Sequence, residues 1–293
     1  MIDTVSQEPY QGLSTQQIEQ YCRDGFLSPL DVMTLAEAAA WRRQLEDMET
    51  EWADKKLPRT LNAYKRVNAQ AVMPFAYQMA TLPAILDSVE SLLDSSLLIY
   101  AAEFFIKEAH SPHIVSMHQD LTYWGLGATE NLVTAWIALS PSTKQSGCMQ
   151  FAAGSHKNPI LPHHDSFDDN NLLSRGQEVQ ADIAEANRTD IVLQPGQMSL
   201  HHGLTIHGSG PNSSDDRRIG FVVRYINPDV MQEVADIDYA IIVRGANTNR
   251  NFITYAPPEG LFMPRNLELY EDMREAKRQA MMKGAAAKSS LYS

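Results

Sequence analysis

A histidine and an aspartate one residue apart, His118 and Asp120 in HIVSMHQDLTYWG, are the residues of this chain whose types and spacing point most directly to chemistry. In extended backbone, residues i and i+2 point to the same side. An imidazole and a carboxylate so placed can grip one ion from the end of a strand. A third ligand is available downstream, where the turn-rich segment LTIHGSGPNSS carries His207. Two histidines and one carboxylate, with other positions left open, are the set that serves non-heme iron(II) oxygenases. An H-x-D triplet alone arises by chance too often to carry that reading. Arg218 strengthens it, eleven positions beyond His207 on the strand-like run RRIGFVVRYI. An oxygenase that consumes 2-oxoglutarate must neutralise the distal carboxylate of that cosubstrate, and a guanidinium offers a planar two-pronged match. Arg218 and Arg224 share one strand face and Arg217 takes the other. Without the histidine nearby, each would read as a solvated surface charge.

The remaining polar candidates are weaker. His201 and His202 closely precede His207, but a strand puts them on opposite faces, so at most one points inward. His110, His113, His163 and His164 read as loop or surface residues, with the pair at 163 and 164 within reach of a substrate. Lys107 reads either as a contact for an anionic substrate or as a surface-edge lysine. Tyr123 and Trp124, just past Asp120, read either as a substrate-pocket wall or as a core aromatic pair.

Short apolar or alternating runs bounded by turn residues must position these side chains, and they begin near Ser96: LLIYAAEFFIK, NLVTAWIAL, GCMQFAAG, DIVLQPGQMSLHH and RRIGFVVRYI. They predict a β-barrel or β-sandwich. The first 95 residues read as helical. STQQIEQYCRDG carries an N-cap Ser14 with Gln17 three residues on and stops at Gly25. Leu30, Met33, Leu35, Trp41, Leu45, Met48 and Trp52 then recur at helical spacing, predicting one long amphipathic helix packed on a sheet. Residues 158–188 are polar and long enough to form an insertion over one barrel mouth, a candidate lid. Residues 261–293 read as a charged helix fading into a flexible tail.

A chain of 293 residues, 44% hydrophobic and 20% charged, is expected to form a single domain with a sizeable core. Cys22 and Cys148 are too few for a disulfide framework or a thiolate metal site, so a metal would be held by histidine and carboxylate. A net charge of -12 argues against nucleic acid or an anionic membrane as partner and leaves a small molecule. The N-terminus lacks a basic-then-apolar pattern and no apolar run of about 18 residues occurs, which predicts a cytoplasmic protein. Nothing here sets the oligomeric state.

The segments HQDLTYWG, TAWIALSPSTKQSGCMQFAAGSHK and HGSGPNSSDDRRIGFVVRYI, in this order and spacing over about residues 99–226, resemble the phytanoyl-CoA dioxygenase family. The resemblance implies a mainly β fold with flanking α, a double-stranded β-helix (jelly-roll or cupin-like) with N-terminal helices packed on its major sheet, the core spanning residues 96–260. It implies Fe(II) on His118, Asp120 and His207, and 2-oxoglutarate on Arg218, assisted by Ser209 and lined by Trp136. His156, in the GSH turn, is then structural. The implied reaction consumes O2 and 2-oxoglutarate, releases succinate and CO2, and hydroxylates an unactivated C–H of a small polar metabolite. The motif wording is most similar to bacterial members that act on aminophosphonates such as 2-aminoethylphosphonate. Related halogenases replace the carboxylate ligand, so Asp120 favours hydroxylation. Desaturation, epimerisation or cyclisation at the same iron, and a β-barrel that binds without catalysis, are the alternatives.

Overall fold

The computed structural model describes residues 12–283 and residue 285. The tail expected after the last helix lies mostly outside the described residues, as does most of the N-terminal stretch read for a targeting signal.

Helix α1 (Thr15–Asp24) starts and stops where its punctuation says: Ser14 and Gln17 cap each other reciprocally, and Gly25 ends it in the left-handed region at φ 83°. The long helix expected next is shorter, because a second reciprocal cap, Thr34 with Glu37, starts α2 (Leu35–Trp52). Residues 26–31, with Leu30 among them, are a strand, β1 (Phe26–Asp31), and Met33 lies in the linker. Helical spacing of the apolar residues ran through a boundary that the cap residues marked. Helices α3 (Leu61–Arg66), α4 (Pro74–Ala80) and α5 (Pro83–Leu93) follow. In α4 and α5 the proline sits in the first turn, where its missing N–H costs nothing.

The β-rich part contains β2 (Leu97–Lys107), β3 (Val115–His118), β4 (Leu132–Ala138), β5 (Met149–Ala152), β6 (His163–Asp165), β7 (Gln177–Val179), β8 (Arg188–Ile191), β9 (Gln197–His202), β10 (His207–Ser209), β11 (Arg218–Ile226), β12 (Tyr239–Arg244) and β13 (Ile253–Thr254); α6 (Pro264–Met281) closes the fold. The major sheet has the order β1-β9-β4-β11-β2-β12-β13 and the minor sheet β3-β10-β5-β8. This is a double-stranded β-helix. Strands β1, β12 and β13 extend the major sheet beyond the runs legible in the sequence.

Strands β4 and β11 are buried along their whole length because both faces of the major sheet are covered. One face packs on the N-terminal helices, as expected: Phe75 of α4 meets Phe104 at 5.9 Å between ring centroids, and Phe104 meets Phe221 at 4.8 Å. Fully burying one such side chain stabilises by about 1.5–3 kcal/mol, so this layer can hold a sheet whose other face is largely polar. That other face turns toward the minor sheet. At one end Trp136, Val222, Met149, Phe151 and Ile191 fill the space between the sheets. On either side of Val222 along β11 the same face presents Arg218 and Arg224, and there the site lies.

Candidate metal centre

Strands β3 and β10 are antiparallel neighbours whose register sets His118 opposite His207, with ring centroids 4.2 Å apart. Asp120 follows β3 directly. Its Oδ1 lies 3.4 Å from His118 Nε2 and 3.9 Å from His207 Nε2. One ligand atom from each residue falls within 4.8 Å of the others, and all three side chains are buried. Cis ligands each about 2.1 Å from one ion lie about 3 Å apart, so small inward movements would suffice to bind a cation. The ring orientations fit the same purpose. His118 Nδ1 meets the Ser116 carbonyl and His207 Nδ1 meets the Thr205 carbonyl, both at 2.9 Å. A carbonyl only accepts, so each Nδ1 carries the proton and each Nε2 turns a lone pair toward the carboxylate. Acceptors facing acceptors in a buried site are satisfied by a cation. Burial, with His118 and His201 close by, holds His207 well below the usual histidine range, which keeps it a neutral donor to metal. Burial opposes the charge of Asp120, yet the neighbouring His118 and His201 rings and the nearby Arg224 outweigh it and hold the carboxyl well below its ordinary value.

The second oxygen of Asp120 is braced from the major sheet. Thr134 Oγ1 donates to Asp120 Oδ2 at 3.1 Å, and His201 Nε2 lies 3.6 Å from the same oxygen. Cross-strand register puts His201, Thr134 and Arg224 in one row across β9, β4 and β11. His202 points the other way, onto Glu130. Strand alternation allows one inward histidine, as the sequence indicated, and that histidine stands beside the ligands as a brace. No local sequence signal marks this role, because register across three strands determines it.

From the triad a cavity of about 430 Å³ leads between Trp136, Ser209 and Val222 to Arg218. Arg218 is 1% exposed and has no salt bridge among the described residues; its Nη1 donates to the Gly147 carbonyl and its Nε has no partner. Taking such an ion out of water costs several kcal/mol, which no protein carboxylate offsets here. Burial pushes the guanidinium down to about 10. An orphaned buried cation at the end of a slot that starts at three metal-type ligands fits the distal carboxylate of 2-oxoglutarate. Trp136 flanks it, its ring 5.3 Å from the guanidinium carbon. Lys107 corrects both readings offered for it. It is fully buried, lines neither cavity at the site, and donates to Ser209 Oγ at 2.7 Å and to the Gly210 carbonyl.

A second cavity, about 700 Å³ counting its open mouth, meets the first at His118, Asp120 and Arg224. Tyr123 and Trp124 both line it, and Trp124 lies under Arg224, 4.7 Å from its guanidinium carbon. Residues 158–188 fold partly into the β6–β7 ribbon and contribute Leu173, Ser174 and Gln177 to the wall. Gln119, between the two motif residues, ties this segment down: its Oε1 accepts from Leu161 N at 2.8 Å, its Nε2 donates to the Pro159 carbonyl at 3.2 Å, and its backbone N–H donates to His163 Nε2. Tyr123 hydroxyl donates to Asp165 at 2.9 Å. The sequence did not single out Arg66, Asn68, Glu103 or Lys277, which also line this cavity. They come from α3, the turn after it, β2 and α6, and nothing local in those segments marks them. His156 packs away from the site, against the Cys22 carbonyl and His202.

Comparison with known proteins agrees with this geometry. The family model described as phytanoyl-CoA dioxygenase matches residues 21–220. A Caenorhabditis elegans protein called probable phytanoyl-CoA dioxygenase is 22% identical over 225 residues, 75% of this chain and 68% of that protein. A Stutzerimonas stutzeri protein called probable alpha-ketoglutarate-dependent hypophosphite dioxygenase is 25% identical over 245 residues, 77% of this chain and 79% of the relative. The matches to the bovine and human peroxisomal phytanoyl-CoA dioxygenases span under half the length of those proteins, 43% and 46%. Among solved structures, the non-heme monooxygenase ThoJ superposes with a TM-score of 0.82 at 31% identity, covering 91% of this chain and 98% of ThoJ. At the level of fold, CytC3 with Fe(II) and alpha-ketoglutarate matches with a TM-score of 0.65 at 19% identity, covering 88% of this chain and 98% of CytC3.

Proposed function

The chain belongs to the phytanoyl-CoA dioxygenase family, and from that premise we propose that it is an Fe(II)- and 2-oxoglutarate-dependent dioxygenase that hydroxylates a small polar metabolite in the cytoplasm. The observation that carries the reading is the pairing of His118, Asp120 and His207 with the orphaned guanidinium of Arg218 along one cavity. His118, Asp120 and His207 would hold the metal. When bound, iron with 2-oxoglutarate and O2 supplies the oxidising power and leaves succinate and CO2 as co-products. The protein's share is positioning and exclusion of water. Arg218 and Ser209 receive the distal carboxylate and fix how far the cosubstrate reaches. Trp136 walls the slot. Thr134 and His201 hold Asp120 so that Oδ1 faces the imidazoles. Residues 158–188 act as a lid that Gln119 and Tyr123 anchor to the metal motif. Retention of Asp120 leaves no ligand position for a halide and favours hydroxylation. The relative named for hypophosphite supports a phosphorus-containing substrate such as an aminophosphonate.

Anaerobic addition of Fe(II) and then 2-oxoglutarate tests this. The wild type is expected to develop the visible metal-to-cosubstrate charge-transfer absorption and, on admitting air with substrate, to release succinate. His207→Ala should lose most of the absorption, and Arg218→Met should need far more 2-oxoglutarate to reach it. Equal absorption in wild type and His207→Ala would refute the assignment.

A further inference from the structure

The wall of the second cavity gathers three cations, together with polar groups that lack hydrogen-bond partners among the described residues. Arg66, Arg224 and Lys277 all reach it. Glu103 pairs with both arginines, at 3.6 Å from Arg66 and in a short contact with Arg224. Asp238 lies 3.7 Å from Lys277, but its oxygens already accept from Tyr239 N, Tyr100 hydroxyl and Gln232. Arg224 also acts on Asp120, which is assigned to the metal.

Two of the polar groups are incompletely satisfied. Lys277 is 4% exposed; its Nζ sits over the Tyr100 ring, 2.8 Å from the centroid, and has no hydrogen-bond partner among the described residues. Asn68 is 1% exposed, and neither its amide oxygen nor its amide nitrogen has a partner. Its backbone sits in the left-handed region at φ 47°, which holds the side chain at this place on the wall. Burial pushes the Lys277 ammonium down to about 7, with Asp238 only partly compensating. The arginines are presented flat. Arg66 lies 4.1 Å over Phe105 and donates to the Leu172 carbonyl, and Arg224 lies 4.7 Å over Trp124 and donates to Glu103. Buried polar groups are ordinarily paired, and cations gathered on a buried wall favour an anionic ligand. A purely structural cluster would close on itself.

We propose that Lys277, Arg66, Arg224 and Asn68 form the recognition site for an oxyanion group of the substrate, a carboxylate or a phosphonate, and so set which carbon is presented to the metal ligands lining the same cavity. This rests on the preceding reading of the site as an iron and 2-oxoglutarate centre.

The test is titration calorimetry under nitrogen on protein saturated with Fe(II) and 2-oxoglutarate, so that the Arg218 slot is filled. The probes are propionate and 3-aminopropionate, ethylphosphonate and 2-aminoethylphosphonate, and the uncharged or cationic counterparts propionamide and ethanolamine. At least one oxyanion pair should bind saturably while propionamide and ethanolamine do not; the stronger pair identifies the oxyanion. Lys277→Met, close in shape, and Asn68→Gly, which tolerates the positive φ, should each weaken that binding by about tenfold or more. Both should keep the charge-transfer absorption of the wild type, showing that fold and metal site survive. Binding of propionamide as tight as that of the anions, absence of binding by every oxyanion, or unchanged binding in both variants overturns the proposal. If the charge-transfer absorption never forms even in wild type, the iron and 2-oxoglutarate reading fails instead, and the same titrations on the metal-free protein still decide whether the cluster binds anions.

Discussion

Lys107 and Arg218 stand directly opposite each other on β2 and β11, both wholly buried, with no salt bridge to a carboxylate among the described residues. Like charges facing across a strand pair are destabilising, and burial adds to the cost. Lys107 relieves part of it by donating to Ser209 Oγ, which leaves the Ser209 hydroxyl proton free to reach a ligand beside Arg218. Arg218 and the Ser209 hydroxyl thus face the slot, with Lys107 behind them. Arg218→Met is predicted to cost about 2–5 kcal/mol in 2-oxoglutarate binding, the usual loss for one partner of a buried charge pair. That is roughly thirtyfold to a few thousandfold in affinity. Calorimetry on the metal-loaded protein measures it.

The same pair predicts a pH dependence. Burial, reinforced by Arg218, pushes Lys107 down to about 6 in the free protein. A bound carboxylate favours the ammonium and raises that value, so binding takes up a proton. Affinity for 2-oxoglutarate should therefore fall as pH rises above about 6, by at most about tenfold per pH unit. Lys107→Met should flatten the slope. Calorimetry in buffers of differing ionisation enthalpy counts the protons, and equal uptake by wild type and Lys107→Met would contradict the assignment.

Gly220 is required by Trp136. A Cβ at position 220 would fall 2.1 Å from Trp136 Cζ2, and the ring is hemmed in by the core between the sheets and by Arg218. Gly220→Ala is predicted to destabilise the fold by about 1–3 kcal/mol and to weaken 2-oxoglutarate binding, since the displaced ring must move in the cosubstrate slot. Thermal denaturation with and without 2-oxoglutarate should show a lowered Tm and a smaller ligand-induced rise.

Thr134 positions the carboxylate without touching the metal. Thr134→Val removes the bond to Asp120 Oδ2 and should reduce metal affinity by about 10–100-fold, with Thr134→Ser restoring most of it. Competition with a fluorescent chelator reads the affinity directly. Loss of folding in place of loss of metal would show as a changed far-UV circular dichroism spectrum.

The parts of the site legible in the sequence were those fixed by short-range spacing. His118 and Asp120 share a strand end, and Arg218 sits on an unbroken apolar strand. Strands β2, β4 and β11 were legible because their burial comes from their own composition. What escaped depends on partners distant in sequence. β1 was hidden inside a helical-looking pattern, and its place beside β9 follows from pairing with Leu200 and His201. Lys277 lies on a helix whose charged composition reads as solvated, yet the fold turns that face inward. Strand alternation allows at most one of His201 and His202 to point inward, and the same alternation explains why His201 reaches Asp120.

Diffraction from crystals grown anaerobically with Fe(II) and 2-oxoglutarate, measured at the iron absorption edge, tests the central assignment most directly. A single iron peak between His118 Nε2, His207 Nε2 and Asp120 Oδ1, with a 2-oxoglutarate carboxylate on the Arg218 guanidinium, is the predicted result. An iron peak away from those three atoms, or a cosubstrate whose distal carboxylate turns away from Arg218, would contradict it.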